Sequence, residues 1–214
     1  MHGHINNIKS ILEESGNLKI LDSFIMNENI LGKNILHYIA FESCNDNTLT
    51  CALSLINNDP AKMKKLLLKR DNEGNTPFDL MIIIGQIFNI KSILEESGNL
   101  GIRDSLMMNE NERGRNILHQ AVWKYCNDEA FTYMLNFIKS DRVILENLLS
   151  KRDFRGDTPL NVAVRFGQTN KVKSILEESC DKLGILDQII INENETGCNV
   201  LHQATEDLCD DEML

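Results

Sequence analysis

The chain lacks any run approaching the roughly 18 apolar residues of a membrane span, and Met1-His2-Gly3-His4 is not a basic region leading into an apolar stretch. Neither membrane insertion nor a secretory signal is expected. Basic residues are in deficit, 22 Lys and Arg against 32 Asp and Glu, for a net charge of −10. Neutralising phosphates needs a Lys/Arg face, so no nucleic-acid partner is expected, although a local basic patch remains compatible with this balance. The six cysteines (Cys44, Cys51, Cys126, Cys180, Cys198, Cys209) contain no CxxC pair and do not recur at equivalent positions. That argues against a zinc site or a disulfide framework, and for free thiols in a reducing compartment. No Gly-rich phosphate loop, nucleophile motif or metal-ligand cluster is present, so no enzymatic activity, cofactor or metal is expected. Tryptophan occurs once, at Trp123. A cytoplasmic protein is the expectation, with secretion into a host cell left open.

What is abundant is repetition. Asn27-Glu28-Asn29 with Gly32-Lys33-Asn34-Ile35-Leu36-His37 returns as Asn109-Glu110-Asn111 with Gly114-Arg115-Asn116-Ile117-Leu118-His119, and again as Asn192-Glu193-Asn194 with Gly197-Cys198-Asn199-Val200-Leu201-His202. Between these lie Gly74-Asn75-Thr76-Pro77-Phe78 and Gly156-Asp157-Thr158-Pro159-Leu160. The marker glycines, 32, 74, 114, 156 and 197, are thus 42, 40, 42 and 41 residues apart. Such a period predicts a solenoid whose units bury apolar faces against their neighbours and whose function resides on a shared surface. Lys69-Arg70-Asp71 matches Lys151-Arg152-Asp153 at an offset of 82, so a two-unit block has been duplicated.

Each unit reads as helix, tight turn, helix. Thr76 and Thr158 stand as N-caps with Pro77 and Pro159 at the first helical position, where a missing N–H costs nothing. Asn34, Asn116 and Asn199 take the capping place in the other units. Gly85 and Gly167 stop the first helix, and Ile87, Ile90, Ile93 and Leu94, like Val172, Ile175 and Leu176, have helical spacing for a second. The segment 3–15 aligns with the second helices at 85–97 and 167–179, while 199–208 aligns with a first helix. The chain therefore begins and ends midway through a unit, which suggests a fragment or a shortened gene.

The motif Gly-x-Thr-Pro-Phe/Leu, followed by Gly85-Gln86 and Ile90…Ile93-Leu94, or by Gly167-Gln168 and Val172…Ile175-Leu176, resembles the ankyrin repeat over nearly the whole chain. The resemblance implies an all-α, ankyrin-like helical solenoid, one domain over 1–214. Its units are a partial one at 1–28, full ones at 29–70, 71–110, 111–152 and 153–193, and a partial one with an acidic tail at 194–214. Ankyrin units are near 33 residues, so these carry about eight extra. Met63, Leu66 and Leu67, and Val143, Leu145, Leu148 and Leu149, predict short extra helices within 59–70 and 141–152. The family's first-helix His is replaced by Asp79 and Asn161 in the even units, which puts its bracing role there in question.

His37, His119 and His202 recur at unit spacing, and in the family such a His ties neighbouring turns by hydrogen bonds, so a structural role is preferred over metal binding or base catalysis. The pairs Glu13-Glu14, Glu95-Glu96 and Glu177-Glu178 read as solvated helix ends rather than acid–base pairs. Lys62, Lys64, Lys65, Lys69 and Arg70 read as a solvated face in preference to a dock for an acidic partner.

The resemblance also implies where recognition would sit: on the concave face, around the marker glycines and before the first-helix stop. In the first two full units these positions are Ile30, Leu31, Lys33, Glu42 and Ser43, then Asn72, Glu73, Asn75, Ile83 and Ile84. In the next two they are Glu112, Arg113, Arg115, Trp123 and Lys124, then Phe154, Arg155, Asp157, Arg165 and Phe166. Of these, Trp123, Phe154, Phe166, Arg113, Arg115, Arg155 and Arg165 would form an aromatic and arginine cluster of the kind that dominates interfaces. Trp123 and Phe166 filling the groove between units is an equally weighted reading. The expectation is a non-catalytic, monomeric protein-interaction module. Reversing the charges of Arg115 and Arg155 would then weaken binding while leaving the melting point unchanged. Two other readings stay open: the targeting part of a larger effector enzyme, and a degenerate paralogue. Asn and Ile are frequent, about 25 each, a bias found in AT-rich genomes. AT-biased ankyrin-rich proteins resemble those of intracellular bacteria and some large viruses, where they commonly engage host proteins.

Overall fold

A computed structural model of the chain describes residues 10–11, 14, 25–41, 47–56, 59–99, 101–179 and 184–205. These residues are predominantly helical, with no strand among them. The expected segment 3–15 apart from residues 10, 11 and 14, the sites Glu42 and Ser43, and the acidic tail from 206 lie outside the described residues.

The chain forms two compact units, Met1–Leu106 and Met107–Leu214. In unit 1 the helices are α1 (Ile35–Phe41), α2 (Asn47–Ile56), α3 (Pro60–Leu67), α4 (Pro77–Ile84) and α5 (Ile87–Asn99), followed by α6 (Arg103–Met107) at its end. Unit 2 contains α7 (Ile117–Ala121), α8 (Asp128–Ile138), α9 (Arg142–Ser150), α10 (Pro159–Arg165), α11 (Thr169–Glu178), α12 (Leu186–Ile191) and α13 (Val200–Thr205). First helices pack on first helices, α1 against α4 in unit 1 and α10 against both α7 and α13 in unit 2. Their inner faces are apolar and fully enclosed: Leu36, Ile39, Met81 and Ile82 in one unit, Ile117, Leu118, Leu160 and Val162 in the other.

The helix starts follow the expected chemistry. Thr76 accepts from the Asp79 N–H while Asp79 accepts from the Thr76 N–H, and Thr158 and Asn161 repeat this box. Asp79 and Asn161 are therefore capping partners. Gly85 ends α4 in the left-handed region at φ 75°.

The extra helices are present as α3 and α9, capped by Asp59 and Asp141. Their attachment explains why the odd units use Asn where the even ones use Thr-Pro. Asn34 caps α1 through Oδ1 and donates from Nδ2 to the Leu66 carbonyl at 2.9 Å. Asn116 does the same for α7 and reaches the Leu148 carbonyl at 2.8 Å. The amide places acceptor and donor on two separate atoms, so one side chain caps the helix and reaches the extra helix together. Leu145, Leu148 and Leu149 are buried as expected, but Val143 is exposed, because it lies on the first turn of α9 facing away from the packed side. The shorter α6 and α12 were not anticipated. At five and six residues they carry too little periodic signal to be read.

Candidate functional site

Five similar turns organise the chain. Asn29, Asp71, Asn111, Asp153 and Asn194 each accept, through Oδ1, the N–H groups two and four residues ahead, folding the backbone round the marker glycine. Consecutive turns are strapped together. In unit 1 the Asn72 N–H donates to the Leu31 carbonyl at 2.9 Å; in unit 2 the Phe154 N–H donates to Arg113 at 2.9 Å and the Glu195 N–H to Arg155 at 3.0 Å. Gly114 has φ 71°, and a Cβ there would meet the Phe154 ring at 2.8 Å, so glycine is required for both conformation and space.

In unit 2 the sequence-selected residues divide into two sets. Arg115 is buried and its Nε donates to Asp153 Oδ2 at 3.2 Å. Its guanidinium lies 4.8 Å from the Trp123 ring, which contacts Phe166 at 4.5 Å and 60°. Burial, offset by Asp153 and reinforced by Arg113 and Arg155, lowers the Arg115 pKa. Asp157 is fully buried: Arg165 donates to Oδ2, while Asn194 at 3.0 Å and Gln203 at 2.8 Å donate to Oδ1. Arg115 and Asp157 are therefore internal framework, and this corrects their placement on a binding face. Reversing the charge of Arg115 would put two carboxylates together in the interior, so an unchanged melting point is not the outcome to expect. Trp123, Arg165 and Phe166 are half-buried beside this framework. Arg113, Lys124, Phe154 and Arg155 are exposed, Phe154 at 67%.

His119 Nε2 lies 2.9 Å from the Asp157 carbonyl, and the Asn116 N–H donates to Nδ1. A carbonyl can only accept, so the proton sits on Nε2 and the ring is neutral. Burial, the largest influence, lowers its pKa to about 4. His37 holds the Asn75 carbonyl at 3.1 Å in the same way, with its pKa also lowered by burial. Both tie successive turns, as the family resemblance implied, whereas His202 is exposed. Of the glutamate pairs, Glu14, Glu95 and Glu177 are exposed, whereas Glu96 and Glu178 are half-buried and Glu13 lies outside the described residues. Among the basic residues at 62–70, Lys62 lies 3.9 Å from Asp59, Lys69 pairs with Glu28 at 2.7 Å and Arg70 donates to the Gly74 carbonyl.

Sequence reasoning missed Lys171. It is fully buried, and Nζ donates to the carbonyls of Trp123 at 3.3 Å and Cys126 at 2.6 Å, closing the turn after α7. A lysine one helical turn before the core residue Ile175 was the available signal. Cys126 beside it has its thiol pushed up to about 11 by burial and is a poor nucleophile. Among the described residues no group of three or more His, Cys, Asp or Glu could hold a metal, and no helix is long and apolar enough to cross a membrane. The chain matches no protein-family model and no curated protein.

Proposed function

We propose that the protein is an ankyrin-like repeat array serving as a non-catalytic protein-interaction module, with its binding face on the exposed turn residues of unit 2. One observation carries this reading: the same turn geometry and the same straps between turns recur in both units, while the exposed residues mounted on them differ. Such a framework holds side chains at fixed spacing and leaves their chemistry free to suit a partner. Phe154, which lies against Gly114 and is exposed, supplies the aromatic element expected of an interface anchor.

The test is affinity capture from cell lysates with wild type beside Phe154→Ala combined with Lys124→Glu. Both side chains are exposed, so the melting temperature should hold. A protein retained by wild type and lost from the variant is the expected result; identical captured sets would remove the binding face from unit 2.

A further inference from the structure

Two offsets from the marker glycines report how the first helices are covered. Four residues after the glycine stand Leu36, Phe78, Leu118, Leu160 and Leu201; all are fully enclosed except Leu201 on α13, which is 68% exposed. Six residues after it stand Tyr38, Leu80, Gln120, Val162 and Gln203; all are buried except Tyr38 on α1, which is 45% exposed. Gln203 reaches back to Asp157 in the preceding turn, so the sixth position faces the preceding neighbour. The fourth is covered on α1, whose first-helix partner is the following α4, so it faces forward. Helix α13 thus presents an open forward face and α1 an open backward one.

The same two ends carry matching unmade hydrogen bonds. Each strap runs from the N–H two residues before a marker glycine to the carbonyl just before the previous one, as from Asn72 to Leu31, Phe154 to Arg113 and Glu195 to Arg155. The Ile30 N–H and the Thr196 carbonyl hold those places at the two ends, and neither has a partner among the described residues. Each histidine tie runs from Nε2 to the carbonyl just after the following marker glycine, Asn75 at 3.1 Å and Asp157 at 2.9 Å, beside the N–H of Asp71 or Asp153 on the same oxygen. The Lys33 carbonyl holds that place in the first turn and accepts only the Asn29 N–H. His202 accepts the Asn199 N–H on Nδ1, which leaves Nε2 as a donor with no partner among the described residues.

We propose that this surface docks a second copy of the chain, head to tail, with the α13 face of one copy on the α1 face of the next. His202 Nε2 donates to the Lys33 carbonyl of the second copy, whose Ile30 N–H donates to the Thr196 carbonyl, while Leu201 and Tyr38 are buried together. A second copy is the occupant because one chain carries both unmet donors, both unmet acceptors and both open apolar positions, each at the repeat offset that the inner turns satisfy. The contact is heterologous, so it replaces the monomer expected from the sequence with association that continues until a ring closes. It uses neither Phe154 nor Lys124 and stands apart from the binding face proposed above.

Sedimentation velocity of the full chain, up to about 1 mM, tests this. The weight-average mass of wild type should rise with concentration. Leu201→Glu and Tyr38→Glu each place a carboxylate in the contact and should weaken association by about 100-fold, while both keep the wild-type melting temperature in dilute solution because the two positions are exposed. Leu201→Glu retains an intact α1 face and Tyr38→Glu an intact α13 face, so an equimolar mixture of the two should form a 1:1 complex that grows no further. His202→Ala should weaken association by about three- to tenfold through the lost tie. Phe154→Ala/Lys124→Glu should associate as wild type does, whatever its effect on lysate capture. A wild type that stays monomeric throughout, a charged variant that associates like wild type, or a mixture that stays monomeric would each overturn the proposal. Unchanged affinity in His202→Ala would overturn the register, and loss of association in Phe154→Ala/Lys124→Glu would move the contact off the two ends.

Discussion

At residue 33 unit 1 has a lysine, and 82 residues later unit 2 has an arginine. The lysine ammonium stops 3.7 Å from Asp71, whose Oδ2 makes no hydrogen bond; the arginine reaches Asp153 Oδ2 at 3.2 Å and bonds to it. The carbonyl held by the repeat histidine also differs in setting, with Asn75 in unit 1 and the heavily bonded Asp157 in unit 2. One backbone plan therefore carries two qualities of buried polar network, and a buried acceptor left without a donor is costly. Unit 2 is the better satisfied at this pair of positions, whereas Gln120, Asn161 and Gln203 elsewhere in unit 2 keep buried polar atoms without a hydrogen bond.

The largest predicted effects test what the units share. Leu160→Asp and Phe78→Asp each bury a charge at a position 1% exposed, and each should cost about 4 kcal/mol or more. Hydrogen exchange read separately over the two units should show each substitution unfolding its own unit; full protection in either would refute the shared core. Next, Arg115→Glu sets a second carboxylate against Asp153 and should cost about 3–5 kcal/mol. Lys33→Glu should cost less, since it removes no hydrogen bond, and equal costs by urea unfolding would erase the distinction between the networks.

Acidification sharpens the contrast further. The His119 pKa is about 4 when folded, against about 6.5 when unfolded. Between those values the unfolded chain binds the extra proton, so the stability contributed by neutral His119 is present above pH 6.5 and is lost as pH falls toward 4. Unit 2 should weaken over that window by up to about 3 kcal/mol, and His119→Gln should flatten the slope. A pH profile identical in wild type and His119→Gln would contradict the neutral buried ring. A smaller change is expected from Lys33→Arg, which supplies Asp71 with its missing donor and should stabilise unit 1 by about 1 kcal/mol. The unfolding midpoint of unit 1 should rise; a fall would mean that the longer fork does not fit.

Much of this was legible in the sequence. Thr76-Pro77 and Thr158-Pro159 announced helix starts because capping is local chemistry, while the ties made by His37 and His119 were implied by the resemblance to the ankyrin repeat and not by their period. The duplication itself was visible at an offset of 82. The site was legible only in part. Arg115 and Arg113 are two residues apart in the same turn, yet one is buried and the other exposed. Nothing in their identity separates them. Asp157 looked like a surface acid, and only the arrival of Arg165, Asn194 and Gln203 turns it into a buried hub. Lys171 was overlooked because a lysine ordinarily keeps its ammonium in water, and two carbonyls distant in sequence replace that water here.

The sequence by itself determined the repeat period, the helix caps, the glycine turns and the presence of extra helices at 60–67 and 142–150, all of which arise from residues within a few positions of one another. Tertiary structure alone decided which charged side chains turn inward to meet a partner and which remain outside. That choice depends on donors and acceptors some 30 to 50 residues away along the chain, which only folding brings within hydrogen-bonding distance.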